Sequence, residues 1–245
     1  MTPVAPLRIA MWSGPRNIST AMMRSWGNRD DTVVVDEPLY AHYLYVTRKA
    51  HPGIDDVIAS GDTDWQRVVA GLIGPIPGDR RIYYQKHMTH HLLPQMGRVW
   101  LVGLTNCFLI RHPREVLASY TKVIETPAIE DLGFVQQSEI FDQVRTMTGS
   151  VPSVLDAADV LRNPRRMIGL LCDALGVNFQ ESMLNWPAGP RSTDGVWAKY
   201  WYAEVEKSTG FRPYQTKQIE LPERLNQLCN KCTELYEQLH SRRIR

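Results

Sequence analysis

Cysteine is scarce in this chain: four in 245 residues are too few for a disulfide scaffold. No export signal is legible either, because Arg8 falls inside what would be the apolar core of a signal peptide. The thiols are therefore expected to stay reduced and the setting to be cytoplasmic. Long hydrophobic runs are missing too. The longest, 99–110, is broken by Gly103, Thr105 and Asn106 and falls short of the roughly 20 apolar residues that cross a bilayer, so no membrane span is expected. Nor does charge of one sign dominate: 28 Lys and Arg face 26 Asp and Glu, and the basic cluster is confined to Arg242, Arg243 and Arg245. A net charge of +2 supplies no broad field for nucleic acid or an acidic membrane, and any anion site must be local. Internal repeats, low-complexity tracts and a convincing linker are also absent, which makes a single domain over residues 1–245 the simplest organisation.

What is present is an ordinary globular composition, 43% hydrophobic and 22% charged, in a chain long enough to bury roughly 70–75% of its unfolded surface. Short β-rich runs recur at 7–12, 32–36, 81–85, 107–110 and 153–155, each followed by a helical stretch. Helices are expected at 18–26, 39–49, 65–73 and 113–124, the last with Pro113 in its first turn. Another starts at Asn163-Pro164 and carries the stripe Met167, Ile168, Leu171, Leu175 up to Gly176. The last repeats Leu221, Leu225, Leu228, Cys232, Leu235 and Leu239 at three-and-four spacing, the pattern of a buttress on the domain. The alternation implies an α/β fold of three layers, a five-stranded parallel sheet with helices on both faces.

The segment Ser13-Gly14-Pro15-Arg16-Asn17-Ile18-Ser19-Thr20 lies between the first strand and its helix. Such a junction aims free backbone N–H groups and the positive end of a helix dipole at one point, which suits a phosphate or sulfate. Arg16 adds a planar donor fork, and Ser19 and Thr20 add hydroxyls. The same residues also read as a plain strand-to-helix turn with capping hydroxyls. A nucleotide triphosphatase loop, G-x-x-x-x-G-K-[ST], would need Gly, Lys and a metal-binding hydroxyl where Ser19, Thr20 and Ala21 stand. An anionic group held without a tightly organised magnesium ion is the expectation.

A second segment, 108–120, ends a strand with Arg111 and enters a helix carrying Ser119. Together the two resemble the sulfotransferases that use 3′-phosphoadenosine 5′-phosphosulfate, PAPS. In that family an Arg at a strand end and a Ser eight residues later hold the 3′-phosphate, and Arg111 and Ser119 have that spacing. The first loop is similar to the family's phosphosulfate motif P-[KR]-x-G-T-T, with Pro15, Arg16, Asn17, Ile18, Ser19 and Thr20 on its places and Ile18 where the motif has Gly. The segment 85–94 is similar to K-T-H-L-P…L-L-P, which puts His87 on the family's catalytic histidine and Gln85 on its lysine. Arg191 falls in the region of the loop that covers the 3′-phosphate.

The resemblance implies a P-loop-like phosphosulfate site, PAPS as co-substrate, and transfer of its sulfuryl group to a hydroxyl or amine of a small soluble acceptor, with Arg16 stabilising the charge. Two residues compete for the role of base. Glu37, in Asp36-Glu37-Pro38, reads as the N-cap of the second helix, yet Glu is a poor cap and a long carboxylate there reaches toward a cleft. Family branches acting on carbohydrates and protein tyrosines use a glutamate after this strand, whereas His87 matches the cytosolic branch. The competing functional readings are a nucleotide-binding regulatory protein without turnover and a nucleotide kinase.

Other clusters carry less. His87, His90, His91 and His112 lack a usual zinc spacing and an adjacent acidic ligand, so no metal is expected and His90 and His91 read as surface or nucleotide-adjacent residues. Cys229 and Cys232 form a C-x-x-C within the last helix and read as core. Trp197, Tyr200, Trp201 and Tyr202 fit either the core or a wall of the ligand site.

Overall fold

The structure, a computed structural model, describes residues 5–216 and 218–245. Five strands form its sheet: β1 (Leu7–Ser13), β2 (Thr32–Asp36), β3 (Ile82–Met88), β4 (Thr105–Ile110) and β5 (Ser153–Asp156). All pair in parallel, in the order β2-β3-β1-β4-β5, so the five-stranded parallel sheet is as expected. Parallel strands need crossovers, and the helices supply them. They are α1 (Ser19–Gly27), α2 (Tyr40–Thr47), α3 (Ile54–Ser60), α4 (Trp65–Ile73), α5 (Pro113–Tyr120), α6 (Ile129–Leu132), α7 (Phe134–Thr148), α8 (Ala157–Arg162), α9 (Pro164–Ala174), α10 (Ala198–Trp201), α11 (Ala203–Glu206) and α12 (Glu223–His240).

Strand periodicity sorts the core into two layers. Ile9 and Met11 of β1, with Cys107 and Leu109 of β4, meet Met22, Met23 and Trp26 of α1 and Met167, Ile168 and Leu171 of α9. Ala10, Trp12, Phe108 and Ile110 face the other way, onto α2, α4, α5, α7 and α12. Each fully buried Leu or Ile in these layers contributes roughly 1.5–3 kcal/mol. All four cysteines are free thiols and buried, Cys229 and Cys232 inside the second layer. The buried face of α12 is Leu225, Cys229, Cys232, Tyr236 and Leu239, rotated from the anticipated leucine stripe; Leu221, Leu228 and Leu235 are only partly buried. Tyr236 explains the rotation, since its hydroxyl donates to Asp156 Oδ2 at 2.9 Å and draws that face inward. Among the described residues no helix is long and apolar enough to cross a membrane.

Because β1 lies between β3 and β4, consecutive connections leave the sheet in opposite directions at its centre. That reversal opens a crevice beyond the carboxyl ends of the strands, where open α/β sheets bind ligands. Buried Gln137 of α7 ties the two central strands there, its Nε2 donating to Trp12 O at 3.2 Å and Leu109 O at 3.0 Å.

Candidate active site

A cavity of about 790 Å³ occupies the crevice. The loop after β1 forms one wall. Gly14 is required there: a Cβ would lie 2.6 Å from Leu132 O. Asn17 holds the loop in place, its Nδ2 donating to Leu109 O at 2.9 Å while its Oδ1 accepts from Ile18 N at 2.8 Å. Arg16 takes a left-handed backbone, φ +54°, a conformation that costs a non-glycine residue roughly 1–3 kcal/mol and clusters at functional sites. Ile18 sits at φ −88°, which needs no glycine, so the departure from the motif is tolerated because the strain falls two residues earlier. Ile18 supplies no capping side chain to α1, and the N–H groups of Ser19, Thr20 and Ala21 open that helix beside the cavity.

The loop after β4 brings a second cation to the same wall. Arg16 Nε donates to Ser119 Oγ at 2.9 Å, and Arg111 Nη1 donates to Arg16 O at 2.7 Å. Arg111 is oriented by Glu115 at 2.9 Å, and Glu115 in turn accepts from Tyr214 Oη at 2.8 Å. Burial and the neighbouring Arg111 charge hold Arg16 below the ordinary guanidinium range. Two cations and a hydroxyl meeting at one cavity wall form a site that an anion stabilises.

A second charged cluster lies at the ends of β2 and β3. Lys86, fully buried, donates to Asp36 Oδ1 at 2.8 Å, Glu37 Oε1 at 2.5 Å and the Tyr202 hydroxyl at 2.8 Å. Tyr202 donates to Asp36 Oδ2 at 2.6 Å, and Trp197 Nε1 donates to Tyr202 Oη at 3.2 Å. Burial opposes the Lys86 charge, but Asp36 and Glu37 outweigh it and keep the ammonium well above the usual lysine value. Burial, joined by the Asp36 charge and opposed by Lys86, pushes the Glu37 carboxyl above the usual carboxylate range. Its second oxygen, Oε2, lies 3.9 Å from His91 Nδ1. Glu37 is not the N-cap anticipated for it: α2 begins at Tyr40, and Glu37 stands one turn earlier at φ +40° with its N–H donating to Lys86 O at 2.9 Å. The strained backbone turns the carboxylate to the cavity instead of to the helix.

Pro15, Arg16, Asn17, Ile18, Ser19, Thr20, Glu37, Arg111 and Ser119 all line this one cavity. His87 and Arg191 do not. Along β3 successive side chains alternate faces, and Lys86 takes the face of the cavity. His87 is turned into the core, stacked on Trp12 with ring centres 4.4 Å apart and bonded to Gln85 Oε1 at 3.2 Å. Burial pulls its imidazole down to about 3, so it is neutral, and it stands off the cavity wall. Arg191 belongs to a turn held against α1, its N–H donating to Asp194 Oδ2 at 2.7 Å. The cleft is covered by a later segment, with Trp201, Tyr202, Ser208, Arg212 and Tyr214 on its wall. The aromatic quartet divides: Trp197 and Tyr202 are buried, Trp201 faces the cavity, and Tyr200 is exposed.

His90 and His91 are buried rather than superficial, and they line the cavity. His112 stands apart as the N-cap of α5, its Nδ1 accepting from Arg114 N at 3.2 Å. Among the described residues no three His, Cys, Asp or Glu side chains group as metal ligands. Sequence reasoning missed Lys86 and Asp36, and it placed Tyr202 in the core or the cavity wall without its bond to Asp36. The signal for Lys86 was available, since a lysine in the middle of a strand is almost never buried unless paired. Nothing local marks Tyr202, which lies 166 residues from Asp36.

The fold is a parallel sheet with an arginine-bearing loop after its first strand, a second cationic loop after its fourth and a buried carboxylate at the end of its second, all on one cavity. The sulfotransferase domain family matches residues 7–242, and the chain belongs to that family. Its fold is similar to a sulfotransferase from Alicyclobacillus acidocaldarius, with TM-score 0.57, 14% identity and 98% of each chain covered. It is also similar to the sulfotransferase domain of the Synechococcus PCC 7002 olefin synthase, with TM-score 0.53, 16% identity and 97% of each chain covered. Two curated Arabidopsis thaliana relatives, branched-chain-amino-acid aminotransferase-like proteins 2 and 1, are 35% and 38% identical over 93% and 84% of this chain. The matched regions make up only 40% and 37% of those two proteins, so the chain spans about two-fifths of their length.

Proposed function

We propose that this domain transfers a sulfuryl group from PAPS to a hydroxyl or amine of a small acceptor, leaving 3′,5′-ADP. The observation that carries this reading is the meeting of Arg16, Arg111 and Ser119 on the wall of the same cavity that Glu37 lines. Two anionic groups need two anchors, and two are at hand: Arg111 with Ser119, and Arg16 with the uncapped first turn of α1. The cavity, about 790 Å³, is within the range of ligand sites.

PAPS supplies an activated sulfuryl group. Arg111 and Ser119 hold the 3′-phosphate, while Arg16 and the N–H groups of Ser19, Thr20 and Ala21 neutralise charge on the oxygens of the reacting end. Glu37 takes the acceptor proton at Oε2, the oxygen that Lys86 leaves free. Lys86 and Asp36 fix its orientation from behind. His91, Tyr40 and Trp201 line the remaining space and bound the acceptor.

Calorimetry with 3′,5′-ADP and 5′-AMP tests the nucleotide assignment. The bisphosphate is expected to bind at least about tenfold more tightly, and Arg111→Ala to remove most of that difference, because a charge-assisted contact contributes roughly 1.5–3 kcal/mol. Equal affinities overturn it. PAPS consumption across a panel of alcohols, phenols, sugars and amines then identifies the acceptor, and a panel without turnover favours a binding role.

A further inference from the structure

Arg191 and its turn, which do not line the cleft, build a separate charged pocket against the later turns of α1. Arg24 of α1 pairs with Asp194 at 2.7 Å, and their side chains are only 2% and 4% exposed. Asp194 Oδ2 also accepts the Arg191 N–H at 2.7 Å. Three polar atoms of the cluster remain buried without a partner: Arg24 Nη1, Arg191 Nη2 and Asp194 Oδ1. Arg24, Arg191, Ser192 and Thr193 line a cavity of about 100 Å³ between α1 and β2. Two guanidiniums against one carboxylate leave one positive charge in excess. An unsatisfied charged donor is costly in such a place, so the cluster is incomplete as it stands.

We infer that this pocket is a binding site for a small tetrahedral oxyanion that still carries a proton, inorganic phosphate being the simplest. Its ionised oxygens accept from Arg24 Nη1 and Arg191 Nη2, and its P–OH donates to Asp194 Oδ1, so that all three unpartnered atoms are satisfied. Sulfate has the same shape and no proton to donate, and it meets the Asp194 oxygen as a like charge. Burial and the nearby Arg24 charge hold Arg191 below the ordinary guanidinium range, as expected where two cations await an anion. The site is not isolated from the cleft. In the same turn Gly195 N donates to Asp36 Oδ2 at 3.4 Å, so an ion that clamps Arg191 to α1 also steadies the carboxylate behind Lys86.

Titration calorimetry at low ionic strength with inorganic phosphate, and separately with sulfate, tests the assignment on the full chain. Saturable phosphate binding is expected, weakened roughly 10- to 100-fold by Arg191→Ala, less by Arg191→Lys, and unchanged within about twofold by Arg111→Ala. Sulfate is expected to bind at least about tenfold more weakly than phosphate. Circular dichroism of both Arg191 variants confirms that they fold. Loss of binding in Arg111→Ala with retention in both Arg191 variants assigns the ion to the cleft and overturns the proposal, as does the absence of saturable binding. Equal affinity for sulfate overturns the role given to Asp194.

Discussion

At the scale of single residues, the proposed chemistry turns on Glu37 and the lysine that holds it. A general base contributes roughly 10²–10⁴ in rate, so Glu37→Gln is expected to lower kcat by that factor and leave 3′,5′-ADP affinity nearly unchanged. Steady-state kinetics beside calorimetry checks both halves. Since the base acts ionised and its carboxyl is pushed up by burial, wild-type kcat is expected to rise with pH through a value above the usual carboxylate range. A flat profile there, with chemistry rate-limiting, rejects Glu37 as the base. Lys86 makes a different prediction. Replacing it with Met leaves Asp36 and Glu37 side by side without their cation, and breaking a buried pair costs roughly 3–5 kcal/mol. Urea unfolding of Lys86→Met measures that loss. Asp36→Asn in the same chain is expected to recover part of it, because one of the two stranded charges is gone.

Between elements, the decisive contact is the close approach of the loop after β1 to the start of α7. Gly133 sits at φ +72°, and a Cβ there would fall 2.5 Å from Thr89 Oγ1 and 3.4 Å from Gly14 Cα. Thr89 Oγ1 donates to Gly133 O at 2.9 Å, so the backbone of that turn is clasped on one side and pressed on the other. Gly133→Ala must either strain the left-handed backbone or push the loop after β1 away from α7. The expected result is a loss of roughly 1–3 kcal/mol in stability with a weaker affinity for 3′,5′-ADP. Thermal unfolding and calorimetry read the two effects. Neither this turn nor α7 was anticipated from the sequence. The strands and the helix 65–73 were legible because their apolar spacing is regular. By contrast α7 buries Gln137 among Phe134, Ile140 and Phe141, a polar residue on its inner face that weakens the pattern.

For the molecule as a whole, the buried histidines set the response to acid. Burial pulls His87 and His90 down to about 3, and burial with neighbouring positive charge holds His91 well below its ordinary value. Unfolded, these rings take up a proton near pH 6.5, so between that pH and about 3 the unfolded chain binds more protons than the folded one. Stability therefore falls as pH drops through this window, by up to about 2 kcal/mol per histidine at pH 5. Thermal midpoints measured from pH 7.5 to 5 should decline accordingly. His87→Phe is expected to reduce that slope by about one proton and to leave turnover within a few-fold. Abolished turnover in a folded His87→Phe protein would show that the ring acts in the reaction from outside the cleft wall.

By itself the sequence determined the alternation of strands and helices, the sheet they form, and the two loops that carry Arg16, Arg111 and Ser119. These are local matters: a period of two or of 3.6, a proline or glycine at a boundary, a donor group at a helix start. Tertiary structure decided which of two adjacent residues in β3 reaches the cavity. The period of two puts Lys86 and His87 on opposite faces, but which face meets the cleft depends on the helices packed from either side. It also decided that Tyr202 closes over the acidic centre and that Arg191, expected beside the 3′-phosphate, stands off the cleft. Such contacts join residues more than a hundred positions apart and leave no spacing in the chain to read, because their geometry exists only once the sheet has brought the strand ends together.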